Sequence, residues 1–340
     1  MKTFLTIGLS AMITLGIHAE INKTETDMND KNPFFTMYST PFNVPPFDQI
    51  RMEHYKPAFI KGMEDHKKDI DAIVNNQATP DFENTIVALD QCGSLLRNVR
   101  SVFFGLNSAN TNNDMQALNR EISPLMSQHY DDINLNHKLF HKVKQVYEHQ
   151  NNLNLNKEQK KLLEETYKSF VRSGANLPEE KQNRLRELNS RISLLQLTFG
   201  QNMLKETNAF QLIIDKKEDL SGLSQSLISV AADEAKAAGK EGQWIFTLHN
   251  PSIMPFLQFS DKRELREKIF NGYINRGNNN NDADNKDVVK QLVDLRLEKA
   301  KLMGYEDYAA FTLEERMAKN EKNVYELLDN VWTPALTKAK

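Results

Sequence analysis

Hydrophobic positions along this chain recur mostly at steps of three and four, the spacing that puts side chains on one face of an α-helix. Glu83 falls in a first turn after Pro80, and Ile86, Leu89, Leu96, Val99, Phe103 and Leu106 follow as one apolar stripe, predicting a single amphipathic helix. Leu185, Leu188, Ile192, Leu195, Phe199 and Met203 predict a long packed helix between Pro178 and Asn208. Val324, Leu327, Leu328, Val331 and Leu336 predict a last helix over Asn323 to Lys340, with these residues turned inward. Two short β-branched and aromatic runs, Phe210 to Ile214 and Trp244 to Leu248, break the helical pattern, with a helix between them around Ser224 to Ala238. The Asn-rich interval Asn278 to Asp284 predicts a loop that supplies N-caps to the helix carrying Val289, Leu292, Leu295 and Leu302. The fold class is therefore mainly α, with a small β element around 210–214 and 243–249.

Composition narrows the setting. With 340 residues, 39% hydrophobic and 26% charged, the chain can bury a core of one large or two ordinary domains. A net charge of -3 lacks the cationic excess that phosphate backbones require, so nucleic acid is not an expected partner. Lys2, the apolar run from Phe4 to Ile17 and the small Ala19 have the order of a signal peptide over residues 1–19, so export, into the periplasm, is expected, with no stable membrane anchor. Residues 20–47, which hold Pro41, Pro45 and Pro46, read as an extended segment ahead of the helices.

The candidate chemistry is sparse. Phosphate-cradling glycine motifs, the hydrolase elbow and His-Glu-x-x-His are all absent from the sequence. His137 and His141 have the i, i+4 spacing for two imidazoles on one face, but Lys138 stands where a general base would be; with His149 they read as a solvated face. Glu53-His54, Glu64-Asp65-His66 and Glu148-His149 set acids beside histidines, yet helix neighbours point in different directions and do not pair. The single cysteine, Cys92, sits on the apolar stripe and reads as core. Arg263, Arg266, Lys268 and Arg276 could receive a carboxylate, but interleaving with Asp261, Glu264 and Glu267 reads as an ion-laced exposed face. No catalytic, metal or substrate-binding residue is assigned from residue chemistry.

Several segments together resemble the thimet oligopeptidase and peptidyl-dipeptidase family of zinc metallopeptidases. They are Glu53-His54-Tyr55-Lys56-Pro57-Ala58-Phe59, Thr79-Pro80-Asp81-Phe82-Glu83-Asn84-Thr85-Ile86 and Ser173-Gly174-Ala175-Asn176-Leu177. Next come Pro251 to Phe259 with Arg263-Glu264-Leu265-Arg266-Glu267, then Leu295 through Ala300 to Tyr305, and Met317-Ala318. Their order and spacing match along nearly the whole chain beyond the leader.

The resemblance implies the N-terminal, long-helix lobe of a two-lobed oligopeptidase, over residues 48–277, followed at 278–340 by the start of the catalytic region. It implies zinc in the complete enzyme and short peptides as substrates, with C-terminal dipeptides released, as in the bacterial peptidyl-dipeptidases it looks closest to. The family's His-Glu-x-x-His is expected beyond Lys340, so no zinc site is expected in this chain, which alone is expected to be inactive. Two other readings stay open. One is a non-catalytic helical module that binds peptides or a partner protein, and the other is one half of a split enzyme whose catalytic half is a separate chain. An exposed apolar patch would argue against the self-contained module.

Overall fold

A computed structural model describes residues 32–340; the signal peptide expected over residues 1–19 lies outside the described residues. The chain is mainly α, with one small two-stranded sheet. It divides into two compact units, one up to Ser190 and one from Arg191 to Lys340.

In the first unit, tight turns at Pro33–Phe35 and Pro41–Asn43 lead into α1 (Met52–Asn75). A π-helical turn, Phe82–Val87, runs into the four-residue α2 (Ala88–Gln91), followed by α3 (Ser94–Ala109), α4 (Asn113–Asn134), α5 (His137–Glu148) and α6 (Lys157–Arg172). Asparagine caps start three of these helices: the Asn112, Asn136 and Asn156 side chains accept from Met115, Leu139 and Gln159 backbone N–H groups. The long α7 (Glu179–Ala209) runs through the division at Ser190, and Leu185, Leu188 and Ile192 of its expected seam are buried.

The single helix expected after Pro80 is instead two, and Gly93 is the reason. Its φ of +66° is left-handed, so the α-helical ladder stops at Cys92 and starts again at Ser94. The break divides the apolar stripe between two cores. Leu96, Val99 and Phe103 join Tyr55 and Phe59 of α1 in one, while Ile86 joins Ile70, Leu139, Val143 and Leu163 in the other. α1 and α3 approach closely at Gly62, where an added Cβ would stand 2.9 Å from the Cα of Leu96.

In the second unit, β1 (Leu212–Ile214) pairs antiparallel with β2 (Trp244–Phe246), Leu212 facing Phe246 and Ile214 facing Trp244. Between them α8 (Gln225–Ala237) starts at Ser224, whose hydroxyl accepts from the Leu227 N–H. α9 (Asn250–Phe259) and α10 (Arg263–Ile274) complete a core of Leu212, Ile214, Leu227, Phe246, Ile253, Phe256 and Ile269. Then follow α11 (Lys286–Leu302), the short α12 (Tyr308–Leu313) and α13 (Glu321–Ala339).

The inward-facing expectation for the last helix is overturned. In α13, Leu327 is 66% exposed, Val331 57% and Trp332 64%, and Leu328 and Leu336 are exposed as well. The periodicity correctly marks a helix, but among the described residues nothing covers its apolar face.

Candidate functional site

Three of the segments that carried the family resemblance hold turns and helix ends in place. At Asp81–Asn84 the two side chains cap each other's backbone: Asp81 Oδ1 accepts from the Asn84 N–H at 2.7 Å, and Asn84 Oδ1 accepts from the Asp81 N–H at 3.0 Å. Asn84 Nδ2 also donates to the Thr79 carbonyl at 2.9 Å, while Phe82, Thr85 and Ile86 go into the core. Gly174, at φ +91°, ends α6, and buried Gln182 donates to the carbonyls of Gly174 and Ala175, both at 3.2 Å. Gly304, at φ +89°, follows the end of α11, and the carbonyl of buried Ala300 in its last turn accepts from the Tyr305 N–H at 2.9 Å.

The candidate side chains do not assemble into one site. His137, His141 and His149 are exposed on α5 and its end, and His149 Nδ1 meets the Gln145 carbonyl at 2.7 Å. His54 caps α1, its Nδ1 accepting from the Arg51 N–H at 3.0 Å. Cys92 is half-buried, its Sγ donates to the Ala88 carbonyl at 3.0 Å, and burial pushes the thiol up to about 11, far from a reactive thiolate. The basic residues of α10 scatter. Arg266 is spent on the Ser260 carbonyl, while Arg276 donates to Thr207 Oγ1 and the Tyr273 carbonyl, both at 2.9 Å, and lies over the Tyr273 ring. Arg263 and Lys268 remain exposed.

Two assemblies were not legible in the sequence. The first joins α1 to α4: His66 Nδ1 and His129 Nε2 are 3.0 Å apart, half-buried, beside a cleft of about 440 Å³ lined by His66, Cys92, Arg97, Arg100, Tyr130 and Glu165. Burial lowers the pKa of His66 and, with the neighbouring His66 imidazole, that of His129 to about 4. Asp69 near His66 and Asp132 near His129 oppose these shifts, whereas Arg97 and Lys67 add to them. Arg100 reaches the Tyr130 hydroxyl at 2.7 Å. The hydrogen-bond partner of His66 is 63 positions away in the sequence.

The second assembly holds the Asn-rich loop of the second unit. The buried Glu206 carboxylate accepts from the Gly277 N–H at 2.5 Å, Asn279 Nδ2 at 2.8 Å and Asn281 Nδ2 at 2.7 Å. Desolvation would raise its pKa, but the bonds from Asn279, Gly277 and Asn281 outweigh burial and hold it low. Asn285 seals the loop to α7 through Asn202 and the Phe199 carbonyl.

These contacts position loops and helices; they do not form a hydrolytic centre. Among the described residues no group of three or more His, Cys, Asp or Glu side chains is placed to hold a metal ion, the ligand number a catalytic zinc draws from its protein. No helix among them is long and apolar enough to cross a membrane.

Comparison with known proteins agrees with the sequence resemblance. Residues 256–340 match Peptidase family M3. The chain is 36% identical over 304 residues to the dipeptidyl carboxypeptidase of Salmonella typhimurium, covering 89% of this chain and 45% of that protein. It is 35% identical over 292 residues to the Escherichia coli dipeptidyl carboxypeptidase, covering 86% and 43%. With Escherichia coli oligopeptidase A it shares 29% over 296 residues, again 86% and 43%. The chain thus spans less than half the length of these proteins; over most of its own length it is similar to dipeptidyl carboxypeptidases and oligopeptidases, and over residues 256–340 it matches Peptidase family M3.

Proposed function

We propose that this chain is the N-terminal part of an exported zinc peptidyl-dipeptidase that releases C-terminal dipeptides from short peptides. The observation that carries the reading is the 36% identity, along 89% of the chain, to a protein named dipeptidyl carboxypeptidase, against 29% to one named oligopeptidase A. That difference favours the exopeptidase over an oligoendopeptidase. The zinc ligands and the base would belong to a region outside this sequence, where relatives have more than half their length. The residues described supply helical scaffold and no step of the hydrolysis.

The self-contained binding module is the weaker reading because of α13. A module complete at this length would bury or repolarise its helix faces, whereas α13 presents Leu327, Leu328, Val331 and Trp332 to solvent. A split enzyme would share that face, with its covering chain made separately.

The test compares this chain with the product of the same gene extended through any downstream His-Glu-x-x-His codons. Both are given zinc and an N-blocked tetrapeptide. The chain alone is expected to release no dipeptide above background, and the longer product to release the C-terminal dipeptide. Metal-dependent cleavage by the chain alone would overturn the reading, as would internal cleavage of longer peptides without dipeptide release. Export rests on Lys2 and the run Phe4 to Ile17; a mature periplasmic protein beginning near Glu20 is the expected product, and an intact Met1 on the mature protein would count against it.

A further inference from the structure

We propose that His66 and His129 together form a binding site for a borderline divalent metal ion such as Zn²⁺, through Nδ1 of His66 and Nε2 of His129. Two nitrogens bound to one zinc at about 2.0–2.1 Å, at angles between a right angle and the tetrahedral value, stand about 2.9–3.4 Å apart. The two imidazole nitrogens here share a hydrogen bond at 3.0 Å, so a metal would take the place of the shared proton, each ring turning its lone pair by about 40° off the N···N line toward a common point. Imidazole nitrogen suits zinc, copper and nickel and is a poor donor for magnesium or calcium.

The surroundings keep the pair ready to bind. α1 and α4 supply one ring each, so the site is fixed by helix packing rather than by loop geometry. The Tyr130 ring packs edge-on to both, with centroids 6.4 Å from His66 and 5.5 Å from His129. Gly93 packs close to His66, where a Cβ would stand 2.7 Å from the ring. Both imidazoles are held neutral near pH 7, which is the form that ligates. The cleft lined by His66 and Tyr130 lies next to the pair. With two protein ligands the site binds reversibly and exchanges metal; it is not a structural zinc of the four-ligand kind.

The experiment titrates Zn²⁺ alone into this chain, stripped of metal by a chelator, at pH 7.5 and follows the heat of binding. One ion per chain is expected, weakened at least tenfold by either His66→Gln or His129→Gln and unchanged in the double variant His137→Ala/His141→Ala. That last variant removes the exposed pair on α5, the competing explanation for any zinc bound. Retention of full affinity in both glutamine variants, or its loss in the alanine double variant, overturns the site. Because a glutamine variant could lose its fold, the wild-type protein is also followed by imidazole ¹⁵N resonances. Zinc is expected to shift Nδ1 of His66 and Nε2 of His129, and unchanged resonances for this pair at saturating zinc overturn the proposal without any mutant.

Discussion

Gly93 and His66 show how much can rest on one backbone angle. At φ +66° a non-glycine residue costs about 1–2 kcal/mol, and a Cβ at this place would also meet the His66 ring at 2.7 Å. Gly93→Ala is therefore expected to destabilise the chain by about 2 kcal/mol or more in urea denaturation. Combining it with His66→Ala should recover the steric part and leave the angular part. Equal stability of Gly93→Ala and wild type would mean that the turn is not held as described. The same neighbourhood sets an acid limit. A histidine whose folded pKa lies below its unfolded value of about 6.5 binds its proton more readily when the chain unfolds. The stability from the neutral pair is thus complete above about pH 6.5 and drains away as pH falls toward about 4, the value of His129. Asp69, Asp132, Lys67 and Arg97 face the pair. In chelator, the wild-type melting temperature should fall between pH 6.5 and 5 more steeply than that of His129→Gln; parallel slopes would remove the histidines from the account.

Elements whose start and stop are written locally were legible in the sequence. α8 lies within the helix expected around Ser224 to Ala238, and the strands at Leu212–Ile214 and Trp244–Phe246 fall inside the two β-branched and aromatic runs. The helix after Pro80 was misread because apolar spacing survives across Gly93: a single left-handed residue changes the direction of the chain without disturbing the three-and-four pattern. The His66–His129 pair and the Glu206 latch were invisible for a different reason. Their members lie 63 and 71 to 75 positions apart, and nothing in the local composition marks one as the partner of the other. The latch nevertheless makes a strong prediction for its loop. Bonds to a charged acceptor contribute about 1.5–3 kcal/mol each before compensation, so Glu206→Ala, which leaves the Gly277 N–H buried, should cost about 2–4 kcal/mol. Hydrogen exchange at the Gly277 amide should rise by orders of magnitude, while amides of the first unit keep their protection. Because the Glu206 pKa is lowered on folding, its contribution is present above the unfolded value of about 4.3 and is lost as pH falls below it. An unprotected Gly277 amide in the wild type would show the latch to be open in solution.

At the scale of the molecule, the two units differ in how their apolar surface is resolved. Up to Ser190, Phe59, Phe103, Ile122, Leu139 and Leu163 are almost wholly buried in the two cores, and the most exposed apolar side chains, Met37 and Phe42, lie ahead of α1. From Arg191 on, α11 still exposes Val289 and Val293, and α13 exposes most of its stripe. Fully burying a side chain of the leucine or valine class stabilises by about 1.5–3 kcal/mol, so covering Leu327, Leu328, Val331 and Trp332 together is worth several kcal/mol even after loss of side-chain freedom. Such a face drives association when no cover is present. The chain by itself should therefore bind a hydrophobic dye and self-associate with rising concentration in sedimentation velocity. Leu328→Glu/Val331→Glu, which places two charges on the stripe without breaking the helix, should return it to monomer and abolish the dye signal. A longer gene product that carries the rest of a family M3 peptidase should be monomeric and dye-silent without any substitution, because the stripe would be covered in cis. A monomeric, dye-silent chain at this length would instead favour the self-contained module and remove the structural argument for a covering region.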